Sequence, residues 1–328
     1  MEKGKRINAS VLIMAMVFGC LIGAQVSMAA TYPNHPVKLI VGFPPGGPAS
    51  MVSTLIAKRM SEFMEQPITV EHKPGGGATL AATTVAKAKP DGYTLFTGSD
   101  SPLLIAPLIN RDLSYTLEDF IPIVGYGYAP TTISCKKGRW NSLKDMIADA
   151  KKNPGKYTYS TQSVNSFNHF VMKLLCEQAG IDLKMVPFPG NAEALTALLG
   201  GHIDLVCVAG TSGLYQAGKM DVLAIAEKKS LKDYPKIPTL AELGYPIFMN
   251  SYYFLCAPKG TPKEIINKLY DVNQKVFAKY GEEIDDLLHK FEMLSSFLSA
   301  DEVVKQNNYR RDEFRKITKS MGIYLPNR

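Results

Sequence analysis

Short apolar runs alternate along the chain with longer segments whose apolar positions recur at helical spacing. Runs at 37–41, 68–70, 93–97, 131–135, 157–160, 184–186, 203–208, 222–226 and 252–257 are rich in Val, Ile, Leu, Tyr and Phe and predict strands. Between them lie amphipathic stretches. Met51, Val52, Leu55, Ile56, Met60, Phe63 and Met64 share one helical face, as do Phe167, Phe170, Val171, Leu174 and Leu175. The C-terminal third reads as charged helices at 262–279, 283–291 and 300–321, whose charges are most simply solvated faces. This alternation predicts an α/β fold with largely parallel sheets. No solenoid repeat and no low-complexity linker is visible, so two domains would be joined by crossing strands. Segments 128–130 and 250–253 are the candidate crossings. They put 31–130 plus 252–328 in one lobe and 131–251 in the other.

The 328 residues, 46% apolar, suffice for one large or two medium domains. The N-terminus adds a compartment. A basic "MEKGKR", an apolar "VLIMAMVFGCLI" at 11–22 and the small residues "SMAA" at 27–30 predict a secretory signal peptide over 1–30, hence a periplasmic protein. An uncleaved anchor is one alternative. A lipoprotein at Cys20 is another, opposed by the bulky Phe18 where a small residue is usual. No other segment approaches the roughly 20 apolar residues of a spanning helix.

The formal charge of +7 loses three basic residues and one acidic residue if the leader is removed. The remaining Lys and Arg are dispersed and few aromatics interleave with them. That balance argues against nucleic acid and suits a small anion. Cys135, Cys176, Cys207 and Cys256 form no C-x-x-C pair. They read as buried free thiols, although export would permit a disulfide.

Ligands of open α/β sheets bind at the carboxyl ends of strands. The segment after 37–41 is "GFPPGGPAS", containing Phe43, Pro45, Gly46, Gly47 and Ser50. After 68–70 comes "KPGGG" at 73–77, and after 93–97 come Ser99, Asp100 and Ser101. After 157–160 come Thr161, Gln162, Ser163 and Ser166, with His169 a turn later; after 184–186 come Phe188, Gly190 and Asn191. Each segment opens a helix, with Ser50 and Asn191 as expected N-caps. Helix N-termini present unpaired N–H groups and a partial positive charge, so several facing one cleft would hold a carboxylate without Arg or Lys. Catalysis finds no support. His35, His72, His169, His202 and His289 lack metal-ligand spacing, "GTSG" at 210–213 is not a nucleophile elbow, and no glycine run has a P-loop lysine or a dinucleotide spacing. Ser166 and His169 are three apart at a helix start, the spacing of a cap and its neighbour. No cofactor or metal is expected.

These same pieces resemble the substrate-binding proteins of tripartite tricarboxylate transporters, the TctC or Bug family. The resemblance runs in family order through "FPPGG" at 43–47, "ITVEHKPGGG" at 68–77, "AKPDGYTLFTGS" at 88–99, "NPGKYTYST" at 153–161, "VPFPGNAEA" at 186–194, "GGHID" at 200–204, "IPTLAELGYP" at 237–246 and "APKGTP" at 257–262. It implies a two-lobed type II periplasmic binding protein, a Venus flytrap with its ligand between the lobes. It also implies delivery to the membrane permease subunits of an ion-gradient-driven transporter. In this family the opening loop and the loop after 157–160 hold a ligand carboxylate through backbone groups and bridging water, which would explain the Gly and Pro of "GFPPGGPAS". The chain departs from the pattern at Ser50, where an Asp is usual, at 159–166, where three glycines are replaced, and at Phe188 and Pro189, which lose a hydroxyl and a cation. A less charged distal pocket favours a mono- or aromatic carboxylate over citrate. One ligand in one hinge implies a monomer. A sensor presenting the same ligand to a membrane signalling protein is the alternative; an enzyme on this scaffold would need a nucleophile–base pair that the sequence does not offer.

Overall fold

The computed structural model describes residues 32–164, 166–227, 229–247, 250–290 and 293–325. The predicted signal peptide and Cys20 lie outside the described residues. The chain divides into two compact units, Met1–Asn34 and His35–Arg328, and every named element belongs to the second.

Two sheets organise that unit. The first contains β1 (Val37–Val41), β2 (Ile68–His72), β3 (Thr94–Ser99), β4 (Phe120–Ala129), β10 (Ser251–Pro258) and β11 (Leu294–Ser299), in the order β11-β4-β10-β3-β1-β2. The second contains β5 (Thr132–Lys136), β6 (Thr158–Thr161), β7 (Lys184–Met185), β8 (Leu205–Val208) and β9 (Met220–Ile225), in the order β7-β6-β8-β5-β9. Strand β1 is buried at four of its five positions, so it reads as a continuous apolar run rather than an alternating one.

The expectation of largely parallel sheets is corrected. Only β1–β2, β1–β3, β6–β7 and β6–β8 pair in parallel; every pairing of β5, β10 and β11 is antiparallel. The reason is connectivity. Strand β4 leads out of the first sheet into β5, and β10 re-enters the first sheet after β9, so strands that carry the chain between sheets run against their neighbours. Strand β4 itself escaped the sequence reading because Pro122, Gly125 and Gly127 break its apolar run. Strand β11, "LSSFLS", is short and half polar and escaped it too.

Helices cover the sheets: α1 (Pro48–Met64), α2 (Thr79–Ala86), α3 (Ala106–Ile109), α4 (Leu143–Lys152), α5 (Phe167–Ala179), α6 (Asn191–Gly200), α7 (Ser212–Gln216), α8 (Lys263–Lys290) and α9 (Ala300–Ser320). In α1, Val52, Ile56, Met60 and Met64 are buried at four-residue spacing, each contributing about 1.5–3 kcal/mol of burial. The two helices expected at 262–279 and 283–291 are one, α8, kinked at Tyr280 with φ −121° and ψ 18°. The Tyr280 ring lies under the Arg59 guanidinium at 4.1 Å, and Arg59 also donates to Glu283, which ties α1 to α8 across the kink.

Helix α9 bridges two cores. Val303, near its start, packs with Phe96, Phe120 and Phe254 of the first sheet. Phe314, near its end, belongs to the core of the second sheet, the one that holds Phe170 and Leu205. All four predicted thiols are free; Cys135, Cys207 and Cys256 are buried. No helix among the described residues is long and apolar enough to cross a membrane.

Candidate functional site

The carboxyl ends of β1, β2, β3 and β6 and the segment after β7 converge on a cleft of about 620 Å³. Gly42 and Phe43 reach it from β1, Pro74 to Thr79 from β2, Ser101 from β3, Ser163 and Val164 from β6, and Phe188 and Pro189 from beyond β7. The loops of the two sheets stand almost in contact. A Cβ on Gly77 would lie 3.4 Å from Ser163 Oγ, and one on Gly190 would lie 3.8 Å from the Pro44 ring.

The "GGG" turn fits this approach because its residues have φ of +142°, +57° and +65°, a region open mainly to glycine. Ala78 follows at φ +75°, where a side chain is disfavoured. The turn lies on Gly42, where an added Cβ would come within 2.3 Å of Ala78 Cβ and 2.9 Å of its Cα. Gly42→Ala is therefore expected to lower stability by about 2 kcal/mol through overpacking, read by urea unfolding at unchanged m-value. Unaltered stability would mean that the turn relaxes freely.

The side chains of Thr79, Ser101, Asn110 and Ser163 bring hydroxyl and amide groups to the wall beside the backbone of the glycine turn. The N-caps of α1, α2 and α6 are Gly47, Ala78 and Gly190, and none supplies a side-chain cap. This corrects the expectation that Ser50 and Asn191 cap their helices. Pro48 pre-sets helical φ and starts α1 two residues before Ser50, while Asn191 is the first residue of α6. Uncapped N-termini leave N–H groups for water or a ligand at α1 and α6. At α2 the N–H groups of Ala78, Thr79 and Leu80 are taken by Gly75 O and Gly76 O in the turn before it. Helix α5 differs, because Ser166 Oγ accepts from the His169 N–H at 3.4 Å and donates to Ser163 O at 2.8 Å.

Of the candidate residues, Phe43, Ser101, Ser163 and Phe188 form the wall of the cleft. The others support it from behind or beside. Pro45 and Gly46 are exposed, and Gly47 begins α1. Ser50 is buried with its Oγ 3.4 Å from His72 Nε2, and His72 Nδ1 donates to Phe43 O at 2.9 Å, which pins both ends of the opening loop. Ser99 is buried and its hydroxyl has no partner; the hydroxyl of Ser163 is likewise unpartnered. Asp100 is fully buried, and its carboxylate accepts from Arg310 and from the Tyr252 N–H. Thr161 Oγ1 donates to Ser163 O at 2.9 Å, shaping the loop beside the buried Gln162. Asn191 Nδ2 donates to Ala209 O at 3.2 Å, joining the loops after β7 and β8.

Wall residues absent from the sequence-derived set are Gly42, the 74–79 turn, Ala106, Ile109, Asn110, Val164 and Pro189. The glycine run signalled the turn. Ala106 and Ile109 gave no signal, since they lie in an apolar stretch that reads as core.

No wall residue is charged. His169, between the rings of Tyr159 and Phe170, has its imidazole pushed down to about 4 by burial, so it is neutral at pH 7. Burial raises the Asp100 carboxyl, and the Arg310 guanidinium opposes that rise. A larger hollow of about 900 Å³ lies against α9, lined by Lys229, Glu302, Lys305 and Glu313 among others. It has none of the cleft's glycine turns, and the helix N-terminus on its wall, that of α9 between Leu298 and Glu302, is capped by Ser299. No cluster of three or more metal-ligating side chains occurs among the described residues.

Comparison with known proteins bears on this geometry. Residues 52–323 match the family described as tripartite tricarboxylate transporter family receptor. BugT of Bordetella pertussis is 34% identical over 265 residues, 79% of this chain and 81% of BugT. Rpa4515 of R. palustris, solved with adipate, is 28% identical with a TM-score of 0.83, over 89% of this chain and 99% of that one. MatC from Rhodopseudomonas palustris, solved with bound malate, is 26% identical with a TM-score of 0.81, over 87% of this chain and 99% of that one.

Proposed function

Because the chain belongs to the tripartite tricarboxylate transporter receptor family, we propose that it captures a small carboxylate in the cleft between its lobes and delivers it to an ion-gradient-driven permease of that type. Receptors of this family are periplasmic solute-binding proteins rather than enzymes. The lobes meet at 128–130 and 250–253, with 31–130 plus 252–328 on one side and 131–251 on the other. That division follows the two sheets. The leader at 1–30 directs export, and the receptor acts as a monomer.

The observation that carries the reading is an uncharged cleft at the carboxyl ends of the strands, from whose wall residues Phe43 and Pro189 the chain runs on into the uncapped N-termini of α1 and α6. One carboxylate is stabilised there by N–H dipoles. A second carboxylate would meet no cation among the described wall residues. Phe43, Ile109, Val164 and Phe188 offer apolar surface for the rest of the ligand. We therefore assign a mono- or aromatic carboxylate, in contrast to the dicarboxylates adipate and malate held by the two solved neighbours.

Thermal unfolding of the mature protein against citrate, malate, adipate, benzoate, nicotinate and glutamate tests this. An acid at a hundredfold its Kd stabilises by about 2.7 kcal/mol, a shift of several degrees in Tm. Benzoate or nicotinate is expected to shift Tm most. A shift with citrate alone would overturn the ligand class, and a shift with glutamate alone would mean that the site requires an ammonium group on its ligand.

A further inference from the structure

Asp100 stands between two residues of the site, Ser99 and the wall residue Ser101. Its carboxylate turns away from the cleft. Arg310, on α9, donates to it through both Nε, at 3.0 Å, and Nη2. The same guanidinium donates through Nη1 to Asn250 Oδ1 at 2.9 Å and through Nη2 to Asn250 O. The Tyr252 N–H completes the ring by donating to Asp100 Oδ2 at 3.2 Å. One cation thus holds the ligand-facing segment and the returning chain at 250–252, where the chain re-enters the first sheet as β10. The side chain of Asp100 is 0% exposed and that of Arg310 14%. On the cleft side, Ser101 Oγ accepts from the Phe167 N–H at the start of α5, at 3.4 Å.

Stability alone is a poor reason for such a pair, since well-packed apolar residues in place of a buried ion pair are often as stable or more so. The geometry supplies another reason. A guanidinium fork fixes direction as well as distance, and here it fixes two segments at once. We propose that Arg310 is a positioning residue that couples the 99–101 segment to the 250–252 crossing, so that seating a ligand and closing the cleft are one event. This rests on the carboxylate-receptor reading given above.

The test uses the mature full chain with Arg310→Lys and the double replacement Asp100→Asn/Arg310→Met. Lysine keeps the charge opposite Asp100 but cannot also span to Asn250. The neutral pair removes the ion pair without leaving a lone buried charge, and the asparagine amide introduced at position 100 still offers an oxygen to the Tyr252 N–H. In ligand-free hydrogen exchange, the amides of 99–104, Phe167 and 250–253 are expected to exchange at least tenfold faster in both variants. Those of β8 should be unchanged. With whichever of benzoate, nicotinate, adipate or malate most stabilises the wild type, Kd should rise about tenfold, almost entirely through faster release. Exchange raised by one common factor throughout the chain, or Kd within twofold of wild type, would reduce Arg310 to a purely structural role and overturn the proposal. If no acid binds the wild type, the carboxylate reading fails, and the exchange pattern still decides the coupling.

Discussion

Ser163→Asp is expected to cut carboxylate affinity about a hundredfold while leaving the fold intact. Ser163 is on the cleft wall, in a loop rather than in an element, and its hydroxyl has no partner to lose. No wall residue offers a cation to offset the new charge. Two like charges about 6 Å apart at an effective dielectric constant of about 20 repel by about 3 kcal/mol, which is about a hundredfold in Kd. Ser163→Asn is the control for size. It should weaken binding no more than a few-fold, because it adds similar bulk and no charge. Isothermal titration of both variants with the acid that most stabilises the wild type reads the difference directly. If aspartate and asparagine weaken binding equally, the anion does not sit near this loop. If aspartate strengthens binding, the ligand carries a cation and the carboxylate assignment is wrong.

That prediction depends on a wall the sequence disclosed unevenly. Ser163 was legible because hydroxyl and amide residues crowd between an apolar run and a periodic stretch. The 74–79 turn was legible because three successive glycines have few other uses. Residues such as Ala106 and Ile109 were not, because a wall of apolar side chains has the same composition as a core. Asp100 illustrates the opposite difficulty. An acidic residue between two serines at a strand end reads as a ligand contact, yet its partner is Arg310, 210 positions away. Sequence spacing carries no trace of that pairing.

The fold divides in a similar way. Strands with uniform Val, Ile and Leu runs were read close to their true bounds. Those that carry the chain across the sheets were harder. Strand β4 contains Pro122, Gly125 and Gly127, each unfavourable in a strand by propensity. Tertiary fit explains two of them. A Cβ on Gly125 would overlap the Tyr252 hydroxyl at 1.7 Å, and one on Gly127 would meet Leu294 O at 2.3 Å. These glycines admit a tyrosine from β10 and the backbone of β11. Packing against distant partners outweighs local preference there, and a local reading breaks the strand.

Gly77→Val is expected to abolish tight binding by holding the cleft open. The glycine has φ +65°, so any side chain costs about 1–2 kcal/mol in backbone strain, which will lower Tm by a few degrees. That loss is local to an exposed turn and leaves both sheets folded. The larger effect is steric. Even a Cβ would lie 3.4 Å from Ser163 Oγ and 3.7 Å from Val164 O across the cleft, so a γ-methyl directed at either atom would overlap it. The loops must separate, and separation parts the two sides of the proposed anion site. Small-angle scattering should show a larger radius of gyration that saturating acid no longer reduces, with the ligand-induced rise in Tm lost. Gly77→Ala, which adds only the tolerable Cβ, should carry the same backbone strain yet keep most of its binding. Should Gly77→Val close and bind like the wild type, the contact between Gly77 and Ser163 is not the seam of closure. Should alanine lose binding as fully as valine, backbone strain in the turn, rather than bulk across the cleft, governs the site.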